Sequence, residues 1–219
     1  MHSRYRIKLI NSLSGFKSAN LIGTIDEQGK TNVAIFSSVV HLGASPALVG
    51  LIIRPSMVER HTLENIQVTK QFTINQVDES FWQAAHQTSA RYEKNACEFE
   101  QTGLSRQFIA DIAAPFVAES PLKYAVTLKD IVPIQLNNTM FVIGEITDIL
   151  CKKNVLQRDG YIDIEALKTV SISGLDSYHL TTRLSRLSYA KPDVSAEKIN
   201  VNGSALIKQI VNCSDRDVK

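Results

Sequence analysis

Short apolar segments separated by turn residues recur along the first half of this chain and restrict the folds that it can adopt. Leu21–Ile25 and Thr31–Phe36 flank the polar loop Asp26–Lys30, in which Gly29 can take a positive φ angle. The next apolar segment, Ala47–Ile53, is too short for a helix that stands alone. The pattern predicts a β-hairpin followed by a buried strand.

Later segments continue the extended pattern, with two helical interruptions. Phe72–Ile74 contains the β-branched residues Thr73 and Ile74, and Thr139–Leu150 is a nearly continuous apolar segment. Tyr124, Val126 and Leu128 alternate with Lys123, Thr127 and Lys129. Thr62–Val68 predicts a short helix with Thr62 as its N-cap, and Ser80–Ala96 predicts a helix that covers one mouth of a barrel. Many short strands with few long helices predict a mainly β fold, most simply a barrel.

Length and charge limit the domain organisation and the partners. The 219 residues contain 44% hydrophobic side chains, enough for a sizeable core, and show no internal repeat or shift in composition. We therefore expect a single domain over residues 1–219, with its core over about 10–192 and a C-terminal extension over 193–219. With 24 Lys and Arg against 22 Asp and Glu, the net charge of +2 gives no basis for a nucleic-acid partner.

The cysteines and the N-terminus indicate where the protein acts. Cys97, Cys151 and Cys213 lie far apart and form no Cys-x-x-Cys pair, so neither a disulfide framework nor a thiolate metal site is predicted. No apolar stretch resembles a signal peptide or approaches the roughly 20 residues that span a bilayer. We expect a cytoplasmic protein with reduced thiols, without a metal and without a membrane association.

The first cluster of polar side chains lies at the end of a predicted strand. The segment Asn32–Ser38 finishes in two consecutive hydroxyls, Ser37 and Ser38. Hydroxyl groups and free backbone N–H groups beyond a strand can hold a phosphate or the polar rim of a ring. The alternative interpretation is that both serines only form the turn that follows.

The second cluster lies at the predicted helix start. Arg60, His61 and Thr62 place a cation, an imidazole and a hydroxyl on the first helical turn, and Arg54 lies shortly before them. Unpaired N–H groups and the positive end of the helix dipole favour an anion there, and a phosphate monoester suits the cluster. The alternative is an ordinary helix cap with solvated basic neighbours. Together, the two clusters suit a ligand with an anionic tail and a flat polar ring.

The sequence lacks the motifs of dinucleotide-binding, metal-binding and acyl-transfer sites. No Gly-x-Gly-x-x-Gly pattern occurs, so a Rossmann site for a bound dinucleotide is not predicted. We find no metal-ligand spacing among His41, His61, His86 and His179, and we interpret His86 and His179 as structural. No Gly-x-Ser-x-Gly elbow for acyl transfer is present.

The order of these segments resembles a known family. Asn32–Ser38, Ser45–Gly50, Arg60–Ile66 and Phe72–Asn75, followed by later matches up to Gly174–Tyr178, are similar to the flavin reductase-like proteins of the FMN-binding split-barrel superfamily. The resemblance covers nearly the whole chain. It implies a mainly β fold, a Greek-key split β-barrel with a few short helices.

The resemblance also implies a set of cofactor-binding residues, while it names no catalytic side chain. The flavin ring and ribityl chain are assigned to Asn32, Ala34, Phe36, Ser37 and Ser38, with Ile35 where many members have proline. The phosphate of FMN is assigned to Arg60, His61 and Thr62, with Arg54 as an additional ligand. Near the C-terminus, the resemblance implies that Tyr189 stacks on a flavin of this chain or its partner subunit while Lys191 meets an anionic group; a solvated basic face is the alternative.

The function implied by the resemblance is an NAD(P)H-dependent flavin oxidoreductase. FMN is the expected cofactor and NADH or NADPH a transient co-substrate, with electrons passing to oxygen, a second flavin or a partner oxygenase. The resemblance further implies a homodimer. Two alternatives remain open: a flavin-binding electron carrier without nicotinamide activity, and a split barrel that binds another phosphorylated or haem-like ligand.

Overall fold

The computed structural model describes residues 2–54, 61–92 and 96–205. The helices are α1 (Ser3–Ser12), α2 (His61–Thr69), α3 (Trp82–Gln87) and α4 (Glu98–Thr102), with a 3-10 turn at Lys153–Val155. The strands are β1 (Lys17–Ser18), β2 (Asn20–Ile25), β3 (Thr31–Phe36), β4 (Val39–Ala44), β5 (Ala47–Ile53), β6 (Gln71–Gln76), β7 (Arg106–Ile109), β8 (Ile112–Val117), β9 (Leu122–Ile134), β10 (Thr139–Cys151), β11 (Val170–Ser173), β12 (Ser177–Leu180), β13 (Arg186–Leu187) and β14 (Lys198–Ile199). The mainly β prediction is confirmed.

One antiparallel sheet forms the body of the fold. Its seven strands follow the order β3-β2-β6-β9-β10-β5-β4, so strands distant along the chain become neighbours. The strands β1, β11 and β12 form a three-stranded sheet, and the pairs β7-β8 and β13-β14 form two smaller ones. The order places β3 at one edge of the large sheet, where α2, α3 and α4 also contact it.

The hairpin β2–β3 is confirmed, and its turn shows why the chain reverses there. Asp26 Oδ1 accepts hydrogen bonds from the backbone N–H groups of Gln28 (2.9 Å) and Lys30 (2.8 Å). Gly29 has a φ of 83°, which a residue with a Cβ rarely adopts. The turn fixes the register in which Leu21 faces Ile35 and Thr24 faces Asn32.

The core is divided between the two faces of β2. Leu21 and Val33 belong to a hydrophobic cluster that includes Phe99 of α4. Ile22, on the opposite face, belongs to a second cluster with Ile74 and other side chains of the large sheet. Because successive residues of a strand face opposite sides, almost every residue of β2 is buried.

The helix predictions were right in part. Helix α2 is present, but it begins at His61, so Thr62 lies in the first turn rather than at the cap. The single helix over Ser80–Ala96 was wrong: α3 ends at Gln87, because the Thr88 hydroxyl donates to the Ala85 carbonyl (2.8 Å) and closes the last turn. A weakly amphipathic segment near residues 205–211 also predicts a short helix, but its residues after Ala205, like Cys213, lie outside the described residues. Among the described helices, none is long and apolar enough to cross a membrane.

Candidate functional site

A cavity of about 620 Å³ runs along β3 and lies between the two predicted polar clusters. The size is typical of small-molecule sites. Residues of the sequence-predicted set that line it are Asn32, Ala34, Ile35, Phe36, Ser37, Ser38, Arg54, His61 and Thr62. Since strands rise about 3.3 Å per residue, the wall from Asn32 to Ser37 extends roughly 16 Å. An elongated ligand can therefore contact both clusters.

The two serines at the end of β3 differ in their hydrogen bonding. The Ser38 hydroxyl donates to the Ile52 carbonyl (2.9 Å) and accepts from the Ile52 N–H (3.3 Å). It therefore ties the end of β3 to β5 and has little capacity left for a ligand. Ser37, by contrast, has no side-chain hydrogen bond to any residue within the described ranges, which leaves its hydroxyl available to a ligand.

Asn32 and Thr62 form the inner end of the cavity. They are only 7% and 6% exposed, and the Asn32 side chain lies 3.1 Å from Thr62 Oγ1. In the amide orientation that satisfies both ends, Asn32 Oδ1 accepts from Thr62 Oγ1 and Nδ2 donates to Glu98 Oε1 (3.3 Å). Asn65 donates to Thr24 (3.1 Å) on the same interface. These bonds hold the start of α2 against the hairpin.

The cationic and imidazole groups lie at the rim of the cavity. Half-buried His61 has Nδ1 3.9 Å from Glu64 Oε2, and its ring faces the cavity from the first turn of α2. Arg54 is exposed, with Nη2 3.3 Å from Asn11 Oδ1 of α1. Arg60 lies outside the described residues. Thr62 commits its hydroxyl proton to Asn32, and the first-turn N–H groups of α2 are further donors at this end.

A second wall, not assigned from the sequence, brings aromatic groups to the cavity. His86 Nδ1 lies 2.9 Å from the Tyr178 hydroxyl, and both side chains line the cavity. Trp82 packs against Tyr178 with ring centroids 5.1 Å apart. Burial, together with the charge of Asp176, raises the pKa of Tyr178 to about 12, so its phenol stays neutral at physiological pH. The segment Gly174–Tyr178 belonged to the resemblance, but nothing in the sequence tied it to His86.

Glu98 is the other residue that the sequence did not reveal. It begins α4, lines the cavity, and directs its carboxylate towards Asn32. Burial raises the pKa of its carboxyl, although backbone hydrogen bonds and the charges of His61 and Lys30 offset part of that rise. The inner end of the cavity thus contains an acidic group beside its hydroxyl and imidazole groups.

The structure does not bring Tyr189 and Lys191 to this cavity. Tyr189 is 88% exposed and Lys191 is exposed, and neither is among the lining residues of this chain. Their assignment therefore stays a prediction that concerns a partner subunit. Arg186 stacks over Tyr161 at 4.1 Å and pairs with Asp159 (2.6 Å), so this cation is held within the fold.

The donor set suits a ligand with an anionic group at one end and a flat polar ring at the other. The helix start, His61 and Arg54 offer cationic and N–H groups for an anion, and Ser37 offers a hydroxyl. Apolar side chains for a flat ring come from Ala34, Ile52 and Ile172. In the described ranges, no group of three or more His, Cys, Asp or Glu side chains is arranged to hold a metal ion.

Comparisons with known proteins place these features in a family. The family model of the flavin reductase like domain matches residues 13–165. A split-barrel protein from Shewanella frigidimarina NCIMB 400, assigned as a flavin reductase, is 55% identical over 87% of this chain and 94% of its own, with a TM-score of 0.84.

Two more distant structures share the fold. Nitrilotriacetate monooxygenase component B from Bacillus cereus is 20% identical over 85% of this chain and 95% of its own, with a TM-score of 0.77. Flavoredoxin of Desulfovibrio vulgaris (Miyazaki F) is 20% identical over 82% of this chain and 92% of its own, with a TM-score of 0.68.

Proposed function

This chain belongs to the flavin reductase like family, and we propose that it binds FMN in the β3 cavity and reduces flavin with NADH or NADPH. The observation that carries the proposal is the single cavity lined both by Ser37, at the strand end, and by His61, at the helix start. One nucleotide can span these two groups, whereas two separate sites would have argued against a flavin.

The proposed roles follow from the position of each group. His61, Arg54 and the first-turn N–H groups of α2 bind the phosphate, and Arg60 is assigned to the same end by the family resemblance. Ala34, Ile35, Phe36 and the Ser37 hydroxyl contact the ring and its polar edge. Asn32, Thr62 and Ser38 act mainly as positioning residues, because their side chains bond to other parts of the chain.

The chain contributes binding and positioning rather than a reacting side chain. A bound flavin supplies the acceptor for a hydride from the nicotinamide and passes the electrons onward. The open side of the cavity leaves room for a nicotinamide to approach. We assign no catalytic acid or base, because hydride transfer requires none from the protein.

Anaerobic reduction tests the activity. The FMN-loaded protein is mixed with NADH and, separately, with NADPH in the absence of oxygen, and absorbance at the flavin band is followed. Rapid bleaching by either nucleotide supports the reductase. A spectrum that is stable to both, with reduction only by dithionite, would instead indicate the second candidate, an electron carrier, which the fold similarity to flavoredoxin favours.

The choice of flavin is tested by comparing FMN, FAD and riboflavin in calorimetry. We expect FMN to bind more tightly than riboflavin, because riboflavin lacks the group that His61 and the α2 start would bind. Equal affinities of FMN and riboflavin would show that His61 and the start of α2 do not bind the phosphate. A protein that binds none of the three would favour another phosphorylated or haem-like ligand.

We also propose that the chain is a single domain over residues 1–219 and acts in the cytoplasm. We further propose that it forms a homodimer. Helix α1 has no buried residue and exposes Tyr5 (63%), Ile10 (57%) and the adjacent Leu13 (73%), which supports a contact with a second copy. Cys97 and Cys151 are free thiols in the part of the chain that the structure describes. A partner oxygenase is suggested by the similarity to a monooxygenase component B. Sizing chromatography with light scattering tests the dimer.

A further inference from the structure

A carboxylate lies at the end of the cavity where the phosphate is proposed to bind. Glu98 lines the same wall as Asn32, His61 and Thr62, and its Oε1 is 3.3 Å from Asn32 Nδ2. Asn32 in turn accepts the Thr62 hydroxyl proton, so a chain of hydrogen bonds links the carboxylate to the start of α2. Glu98 is therefore a fixed part of this end of the cavity.

The negative charge of Glu98 would lie in the same site as that of the phosphate. Among the described residues, His61 and Lys30 are the groups whose positive charges act on its carboxylate. A phosphate monoester carries about −1.5 to −2 charges at neutral pH. When it binds beside His61, it shares that imidazole with Glu98. Like charges in a partly desolvated site repel each other more strongly than they do in water.

We propose that Glu98 weakens the binding of the flavin phosphate, and so makes the flavin an exchangeable substrate rather than a permanently held cofactor. This inference rests on the proposed function. A site built only of cations and hydroxyls would retain FMN tightly. The helix start attracts the phosphate, whereas the carboxylate repels it. This repulsion shortens the residence time of the bound flavin.

The test uses the isosteric substitution Glu98→Gln in the full-length chain. Glutamine keeps an oxygen that accepts from Asn32 and removes only the charge, so the hydrogen-bond chain and the fold are retained. FMN and riboflavin are titrated by calorimetry into both proteins, and FMN release is followed by stopped-flow fluorescence. We expect the FMN dissociation constant to fall by about three- to tenfold, with slower release, and the riboflavin constant to stay within about twofold.

Two further variants keep the test decisive. Glu100→Gln is the matched control: Glu100 lies on the same helix but is exposed and pairs with Arg106 (2.7 Å) outside the cavity, so FMN affinity should not change. Glu98→Ala removes the charge by a different route. It should also increase the preference for FMN over riboflavin, even where the loss of the Asn32 contact lowers the melting temperature.

The outcomes separate the inference from the proposed function. If Glu98→Gln binds FMN no more tightly than the wild-type chain, the inference is overturned while flavin binding stands. Equal tightening of FMN and riboflavin also overturns it, because the carboxylate would then face the ring rather than the phosphate. A wild-type protein that binds neither flavin would reject the proposed function itself.

Discussion

Asn32 on β3 and Thr62 in the first turn of α2 are 30 residues apart along the chain, yet their side chains are hydrogen-bonded at 3.1 Å. Both are almost completely buried. The bond joins the strand that lines the cavity to the helix whose start is proposed to bind the phosphate. The spacing between the two ends of the ligand site is therefore set by a buried polar contact, and its loss should affect stability and binding together.

Thr62→Val tests that contact. Valine has nearly the same shape but no hydroxyl, so Asn32 Oδ1 loses its donor from Thr62 within a buried site. We expect the free energy of unfolding in urea to fall by about 1–3 kcal/mol, and FMN to bind more weakly. Thr182→Val, at an exposed position, is the control. Equal stabilities of the two variants would show that the contact contributes nothing.

Ser37 and Ser38 are adjacent, and their substitution should have opposite consequences. Ser38→Ala removes two hydrogen bonds with Ile52, so the unfolding free energy should fall by about 1–2 kcal/mol. Ser37→Ala removes a hydroxyl that lines the cavity, so flavin affinity should fall while the melting temperature is unchanged. Thermal unfolding and flavin titration of both variants check this contrast. If Ser37→Ala lowered stability and Ser38→Ala weakened flavin binding, the roles assigned to the two serines would be wrong.

His61→Ala tests the phosphate end of the site. Its imidazole lines the cavity at the start of α2, and a hydrogen bond to a charged group is worth about 1.5–3 kcal/mol. We expect calorimetry to show FMN binding weakened by roughly 10- to 150-fold, with riboflavin binding unaffected. His41→Ala on β4, which is exposed and does not line the cavity, is the control. A loss that is the same for both flavins would place His61 at the ring instead.

The sequence could predict those elements whose signals are local. Asp26 and Gly29 specify a turn between two apolar segments, and the hairpin formed there as expected. The prediction of one helix over Ser80–Ala96 failed because helical apolar spacing does not show that α3 will end at Gln87, where the Thr88 hydroxyl donates to the Ala85 carbonyl. Helix α1 was missed because it buries none of its residues, so its sequence carries no amphipathic pattern facing a core.

The part of the candidate site that lies on β3 could also be predicted from the sequence, because its signal is local. The residues from Asn32 to Ser38 form one strand and its end, so their grouping is a matter of chain order. Tyr178 reaches the cavity only because β12 pairs with β11, and His86 only because α3 packs beside it. Glu98 contacts Asn32 across 66 positions of the chain. Such contacts depend on tertiary packing, which no local pattern encodes.

Gly23→Ala tests a close approach within the core. A Cβ at position 23 would lie 2.2 Å from the Pro115 carbonyl oxygen and 2.5 Å from Thr73 Oγ1, so backbone would have to shift. We expect the free energy of unfolding to fall by about 1–3 kcal/mol, as for overpacking in a well-packed core. Gly43→Ala is the control, because its nearest contact is 3.4 Å. Similar urea midpoints for both variants would contradict the close approach.

Tyr124 should make the fold sensitive to alkaline pH. Burial raises the pKa of its phenol from 10.0 to about 12, so above pH 10 the unfolded chain loses a proton that the folded chain keeps. The stabilising contribution is fully present below pH 10 and is lost as the pH rises towards 12. A difference of this size corresponds to roughly 3 kcal/mol.

Tyr124→Phe removes this titration while keeping the ring. The variant should therefore lose less unfolding free energy than the wild-type chain between about pH 9.5 and 11, measured by urea unfolding at each pH. Tyr5→Phe, at a position 63% exposed, should follow the wild-type profile. Tyr178, whose pKa is also raised to about 12, contributes in the same direction, so the double variant with Tyr178→Phe should be flatter still. Parallel profiles for Tyr124→Phe and the wild-type chain would mean that the Tyr124 phenol is hydrated in the folded state.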